Sequence, residues 1–384
     1  MNALFLALAH LRWTWVRSLV LVLVGALILA VPLVTQTLLR GSEEALTRRA
    51  EAAPLVLGAR GSQLDLVMSA VYFSEDRPQP ISRAAEDAVW DSGLALPIPL
   101  HTAFQANGAR IVGTSLDYFD FRGLSIADGR QLALLGEAVL GAQVAQRLGL
   151  GPGDTVVSSP ENLFDLDGIY PLELQITGVL APTGTADDEA VFTDIKTAWV
   201  IAGIGHGHDD VVTADADGNV TANAAITEFQ RITPDNIDSF HFHGDAADYP
   251  LSAVLVVPND TRSGTILRGR YLDPENPVQI TVPADIVAGL VDRIFRIAAL
   301  LDAVTLIIGV AAAGAIGLSL YLSWSLRAPE MATARRLGAG RFVILRLAAA
   351  EIALLLSCAV AIAACLVIVV ITNGDGIVTW ILAV

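Results

Sequence analysis

Apolar and polar positions separate sharply along this chain. Three runs carry no charged residue: Ser18 to Leu39 between Arg17 and Arg40, Ala303 to Leu326 between Asp302 and Arg327, and Ile352 to Gly374 between Glu351 and Asp375. Each is long enough to cross the hydrocarbon core of a bilayer as a helix. The first exceeds the h-region of a signal peptide, and Gln36-Thr37-Leu38-Leu39 is a poor small-residue cleavage site, so it reads as a retained anchor. Leu4, Leu8, Leu11 and Trp15 recur at helical spacing before it, as an interfacial lead-in.

Between the first two runs the pattern changes to short strands and helices. Gly41 to Ala53 is a charged helix continuing span one, with Glu43, Glu44, Arg48 and Arg49 set for i,i+4 pairing. Ile286, Leu290, Ile294, Ile297 and Leu301 predict a matching stalk helix before span two. Ala109 to Gly113, Thr155 to Val157, Leu172 to Val179, Ala190 to Phe192, Phe229 to Thr233 and Ser252 to Pro258 read as strands. Glu137 to Leu148 reads as a helix closed by Gly149, Pro182 to Asp188 as a polar loop, and Asp209 to Asn223 as an exposed, mobile one. The fold class expected is an α-helical integral membrane protein of three spans carrying a large α+β extracytoplasmic domain in two lobes. Its segments are residues 1–17, an interfacial helix; 18–39, span one; 40–302, the exterior domain with stalks; 303–326, span two; 327–346, a cytoplasmic loop; 347–374, span three; and 375–384, a short tail.

Charge sets the orientation. Arg12 and Arg17 precede span one, and Arg327, Arg335, Arg336, Arg341 and Arg346 against Glu330 fill the loop between spans two and three. By the positive-inside rule both segments are cytoplasmic, and the large domain is outside. The formal net charge of −16 argues against a nucleic-acid partner. Cys358 and Cys365 lie seven apart within span three, where they read as small packing residues.

No phosphate-cradling Gly-x-x-x-x-Gly-Lys-Ser/Thr, nucleophile elbow or His-Glu-x-x-His occurs, so no catalytic residues are assigned and ATP hydrolysis has no seat in this chain. The loop after span two instead reads as a short capped helix. Pro329 suits its first position, Glu330 its positive end, Arg335 and Arg336 its negative end, and Gly338 its closing left-handed cap. A rigid helix at the membrane face suits mechanical contact with a partner. A plain positive-inside loop would explain the arginines alone.

The run Arg327-Ala-Pro-Glu-Met-Ala-Thr-Ala-Arg-Arg-Leu-Gly-Ala-Gly-Arg, with Glu351 heading span three, resembles the signature of FtsX/MacB-type ABC permeases. The exterior resembles that family's periplasmic core domain in Gly113-Thr-Ser-Leu-Asp-Tyr-Phe, Gly136-Glu-Ala-Val-Leu-Gly, Leu148-Gly-Leu-Gly-Pro-Gly-Asp-Thr and Thr177-Gly-Val-Leu. The resemblance implies a bacterial inner-membrane permease subunit of the mechanotransmission type, with the N-terminus cytoplasmic and the large domain periplasmic. It implies two cytoplasmic ABC ATPase subunits holding ATP and Mg, a second permease copy, and a periplasmic or lipoprotein partner. The coupling residues it implies are Arg327, Glu330, Met331, Arg335, Arg336, Gly338 and Arg341. Alternatives are a regulator passing an ATP-driven signal to a periplasmic hydrolase and a zinc-linked transport component. The family commonly has a fourth span, for which Gly376 to Val384 is too short.

Two constellations remain. Gly309, Ala313 and Gly317 recur every four residues in span two, a small-residue stripe suited to a homodimer contact or to packing within the chain. His206, His208, His241 and His243 occur as two His-x-His pairs, candidate ligands for zinc in the exterior domain or ordinary edge-strand histidines. On a strand, His241 and His243 share one face and Phe240 and Phe242 the other. His10 and His101 are isolated.

Overall fold

The sequence punctuates most elements locally. The structure, a computed structural model, describes residues 3–74, 78–159, 171–207, 212–214, 220–222, 230–326, 328–336 and 341–382. Its helices are α1 (Ala3–Trp13), α2 (Trp15–Glu51), α3 (Gln63–Tyr72), α4 (Ala84–Asp91), α5 (Asp117–Arg122), α6 (Ala142–Leu148), α7 (Ile195–Ile201), α8 (Thr261–Arg270), α9 (Pro283–Leu326), α10 (Ala328–Arg336) and α11 (Arg341–Leu382). Ser62, Asp194 and Asp260 cap α3, α7 and α8, each accepting a backbone N–H of the first turn. Gly149, at φ 67°, closes α6 in the left-handed conformation expected of it.

The chain divides into two units, residues 1–44 with 290–384, and residues 45–289. The second is built on an eleven-stranded mixed sheet. Its main path runs Val278–Thr281, Leu55–Ala59, Ala253–Pro258, Ala95–His101, Ala109–Thr114, Ala190–Asp194, Glu137–Leu140, Glu173–Leu180, Ile126–Gly129. Ala190–Asp194 lies parallel to Ala109–Thr114, and Glu137–Leu140 parallel to Glu173–Leu180; the other neighbours on the path are antiparallel. Two cores lie along this sheet. One gathers Ile111, Leu140, Val144, Leu174, Ile176 and Val191; the other gathers Leu57, Val89, Trp199, Leu251, Val254 and Val256. The expected α+β domain is present, its two lobes being two cores on one continuous sheet.

Three local expectations change. Glu137 to Leu148 is not one helix but a strand, Glu137–Leu140, and then α6. The strand is buried along its whole length between two neighbours, so an apolar run that suits a helix serves equally as a central strand. Gly141 breaks the run, because a Cβ there would lie 2.3 Å from the Asp187 carbonyl oxygen. Gln230 to Thr233 forms no strand, only an isolated bridge from Arg231 to Glu173, and Phe229 lies outside the described residues. Within the expected loop from Asp209 to Asn223, Val212–Ala214 pairs with Val220–Ala222. The rest of that loop lies outside the described residues.

Helices long and apolar enough to cross a membrane occur at Trp15–Thr37, Pro283–Ser319 and Arg346–Thr372. In this unit α1 packs along α11. Val22 and Ala26 of α2 meet Ala359 of α11, with Leu355 and Ile362 at the edge. The contact is close because the residues are small: a Cβ on Gly25 would sit 3.2 Å from that of Ala359. α2 has 37 residues, about 55 Å of helix, against a hydrocarbon core of roughly 30 Å. Its outer turns therefore belong to the exterior unit, in which they are anchored.

Candidate functional site

The anchor is Arg49. Leu46, Arg49 and Ala50 fall at i, i+3 and i+4, one helical face, and Arg49 and Ala50 are buried. The Arg49 guanidinium grips the Asp187 carboxylate with both ends, Nη1 to Oδ2 at 2.6 Å and Nη2 to Oδ1 at 3.0 Å. Its Nε donates to the Val71 carbonyl at 2.5 Å, and the Phe73 ring lies 5.5 Å away. The Tyr118 hydroxyl donates to Asp187 Oδ1 at 2.7 Å and that of Thr185 to Oδ2 at 2.8 Å. One turn earlier, the Tyr72 hydroxyl donates to the Leu46 carbonyl at 2.5 Å. The last turns of α2 are thus tied to α3, to α5 and to the loop before strand Ala190–Asp194.

That loop is built for the purpose. Thr185 caps a short 3-10 helix, Ala186–Glu189, by accepting the Asp187 N–H. Asp188 takes the Thr183 and Gly184 amides and the Thr183 hydroxyl, so it closes the loop on itself while Asp187 reaches outward. Burial alone would raise the Asp187 pKa, but Arg49 and the hydroxyl donors hold it below the ordinary carboxylate value. Burial would likewise lower that of Arg49, yet Asp187 and Tyr118 raise it. Burial pushes the Tyr118 phenol up, so it stays a donor. The joint is a closed, fully ionised pair that holds one geometry. The i,i+4 surface pairing expected for Arg49 is replaced by this inward one, because its face of the helix is the apolar face.

A second bidentate pair, Arg130 with Glu137, sits nearer solvent. Glu137 also accepts the Ala133 and Leu134 amides, and the Arg130 and amide donors outweigh burial and lower its pKa.

The expected coupling residues that the structure describes fall in α10 and at the start of α11. Glu330, Met331, Arg335 and Arg336 belong to α10, with Arg336 exposed, and Arg341 opens α11; Arg327 and Gly338 lie outside the described residues. Glu351, which heads span three, meets His10 of α1, Oε1 to Nδ1 at 3.1 Å. No sequence reading pairs these two. The small-residue stripe divides: Gly309 faces Ile28 of α2, a Cβ there lying 3.6 Å from Ile28 Cγ2, whereas Ala313 is exposed and a Cβ on Gly317 would meet nothing within 4 Å.

Three of the four expected histidines come together. Strand Gly205–His206 pairs antiparallel with His241–Phe242, His206 opposite His241, and the His243 amide donates to the Ile204 carbonyl at 2.9 Å. His208 lies outside the described residues. The ligand nitrogens of His206, His241 and His243 all lie within 4.8 Å of one another.

A family model, MacB-like periplasmic core domain, matches residues 21–232. No curated protein is matched. Among solved structures, the periplasmic region of MacB from Actinobacillus actinomycetemcomitans aligns at 12% identity over 63% of this chain and 94% of its own, with a TM-score of 0.37. The extracellular domain of the noncanonic ABC-type transporter YknZ from Gram-positive bacteria aligns at 12% identity over 59% of this chain and 98% of its own, with a TM-score of 0.33. A domain of a putative permease protein from Porphyromonas gingivalis aligns at 12% over 60% and 88%, with a TM-score of 0.27. At such scores the structural likenesses carry no argument, and the assignment rests on the family model. By the match of that model across more than half its length, this chain belongs to the MacB/FtsX-like ABC transporter permease family, as a membrane protein with a MacB-like extracytoplasmic core domain.

Proposed function

We propose that this permease transmits ATP-driven motion from a separate cytoplasmic ATPase to its extracytoplasmic domain, without passing a substrate through its own spans. The observation that carries the reading is α2, which runs unbroken from an apolar span to a buried bidentate anchor at Arg49. A helix held rigidly at its outer end delivers displacement, where a flexible linker would absorb it. α9 leaves the exterior sheet in the same way, beginning at Pro283 directly after strand Val278–Thr281 and continuing to Leu326. At the opposite end, α10 forms a helix of its own between two spanning helices. In this reading α10 docks on the ATPase, two of which bind ATP and Mg beneath a permease dimer in the bacterial inner membrane. The N-terminus is then cytoplasmic and the core domain periplasmic, facing a periplasmic or lipoprotein partner.

The test separates docking from transmission. Arg335→Glu with Arg336→Glu abolishes co-purification of the cognate ATPase while the thermal unfolding of the permease is unchanged. An intact complex in that variant removes α10 from the docking surface. Three glycines inserted after Gly41 preserve docking but uncouple it: ATP no longer changes the distances between spin labels placed on the domain. Unaltered ATP-dependent distances would refute transmission through α2.

A further inference from the structure

We propose that His206, His241 and His243 form a zinc(II) site that ties together the two ends of the segment from Gly207 to Phe240. The inference is independent of ATPase coupling and rests on how the strand pair aims its side chains. Opposite residues of an antiparallel pair face the same way, and so do residues two apart on one strand. His206 lies opposite His241, and His243 is two beyond it, so all three imidazoles share one face. Each pair of rings is separated by 4.8 Å between centroids.

The other face fixes this orientation. Phe240 packs into the core around Ile111 and Leu140, and Phe242 into the core around Trp199 and Leu251. Gly205 and Gly207 make room for them: a Cβ at Gly205 would lie 2.7 Å from the Phe242 ring, and one at Gly207 2.6 Å from that of Phe240. With both phenylalanines half-buried and packed on the cores, the histidines take the opposite face of the strand pair, His206 and His241 half-buried and His243 exposed. A one-residue slip would put the imidazoles into the cores.

Ring chemistry points the same way. His241 Nδ1 lies 3.0 Å from the Ser239 carbonyl, which only accepts, so Nδ1 carries the proton and Nε2 is the nitrogen with which the neutral ring would ligate a metal. A backbone carbonyl holding the far side of an imidazole is the usual support of a metal-bound histidine. Three nitrogens on a tetrahedral zinc at 2.0–2.1 Å stand about 3.4 Å apart. The present separations, up to 4.8 Å, are closed by small ring rotations. Three imidazoles suit zinc or another late divalent metal and disfavour calcium and magnesium, which take oxygen ligands. The fourth position falls to water or to a donor from outside these three.

Such an ion would cross-link residue 206 to residues 241 and 243, closing the neck of the excursion between them. The probe is zinc chloride, titrated calorimetrically into the full chain in detergent after chelator treatment. One ion per chain binds with a Kd at or below roughly micromolar, and His241→Ala with His243→Ala weakens it by about 100-fold or more. Zinc also slows amide exchange at residues 204–207 and 240–243 in the unaltered chain only. Should the double variant misfold, as judged by its thermal midpoint in chelator, His243→Ala alters only an exposed side chain and still weakens binding at least about 10-fold. Equal heats in wild type and variant, no binding tighter than about millimolar, or displacement of zinc by millimolar calcium would overturn the proposal.

Discussion

The two halves of α2 meet very different surroundings. Its inner half touches α11 through Val22, Ala26 and Ala359, a contact of small side chains, while large apolar residues of α9 stay open, Leu306 at 69% and Ile307 at 70% exposure. Its outer end enters a site where the guanidinium of Arg49, the carboxylate of Asp187, the hydroxyls of Tyr118 and Thr185 and the Val71 carbonyl satisfy one another away from water. The exterior unit therefore carries its own specification, since a buried charge pair tolerates one geometry. The membrane unit does not: large apolar side chains of its helices are exposed, and small residues allow close approach without dictating a partner. The function proposed above would use that asymmetry, with a fixed grip on the moved domain and an adaptable surface within the membrane.

The sharpest way to break the comparison is Asp187→Ala. It strands Arg49 in a buried site, and loss of one partner of a buried pair costs about 3–5 kcal/mol. The unfolding midpoint of the full chain in detergent, followed by tryptophan fluorescence, should drop by an amount matching most of that. A change comparable to deletion of a largely exposed pair, such as Arg231→Ala beside Glu173, would show the anchor to be soft. The sign with pH follows from the depressed Asp187 pKa. Its stabilisation is complete above the unfolded carboxylate value near 3.9 and is lost as pH falls through the lower folded value.

His101 gives the next largest effect, in a separate window. It ends strand Ala95–His101, stacks on Phe104 with ring centroids 5.4 Å apart, and burial pushes its pKa down to about 4. Between about 4 and the unfolded value of roughly 6.5 the unfolded chain binds the extra proton, so stability falls as pH falls, by on the order of 3 kcal/mol in total. His101→Phe keeps the stack and removes the titration, and its stability should be flatter across that window. An unchanged slope would place the pH dependence elsewhere.

What the sequence made legible follows from range. The long apolar helices, their charged extensions, α10 and the Gly149 cap are local patterns, and the structure has a helix or cap at each. The alternation of Phe240, His241, Phe242 and His243 is also local, and the strand aims them as alternation requires. Sheet order is not local, and neither is the meeting of Arg49 with Asp187, 138 residues apart. The one local signal is that Arg49 shares a helical face with Leu46 and Ala50. His10 and His101 each lacked a neighbour in sequence, yet one meets Glu351 and the other is buried on Phe104, contacts that folding alone creates. From Glu137 to Leu148, four buried strand residues and a helix share one apolar run, and period alone cannot separate them.

The smallest effect tests the open side of the comparison. Gly309, Ala313 and Gly317 share one face of α9, but only the first has a described neighbour, Ile28 of the same chain, in line with its Cβ. If the stripe served packing within the chain, all three positions would be occupied; if it is a dimer contact, its free portion is the part around Ala313 and Gly317. Cys358 and Cys365 are both exposed and are first replaced by alanine. Single cysteines at 313 and 317 should then give disulfide-linked dimers in membranes several-fold more readily than one at 309. Gly317→Leu should weaken the dimer by about 1 kcal/mol or more by holding the backbones apart, and leave the exterior unit's unfolding unchanged. Dimers strongest at 309, or at none of the three, would move the contact off this stripe. The asymmetry between a fixed outer anchor and an adaptable membrane face would then have to rest on another helix surface.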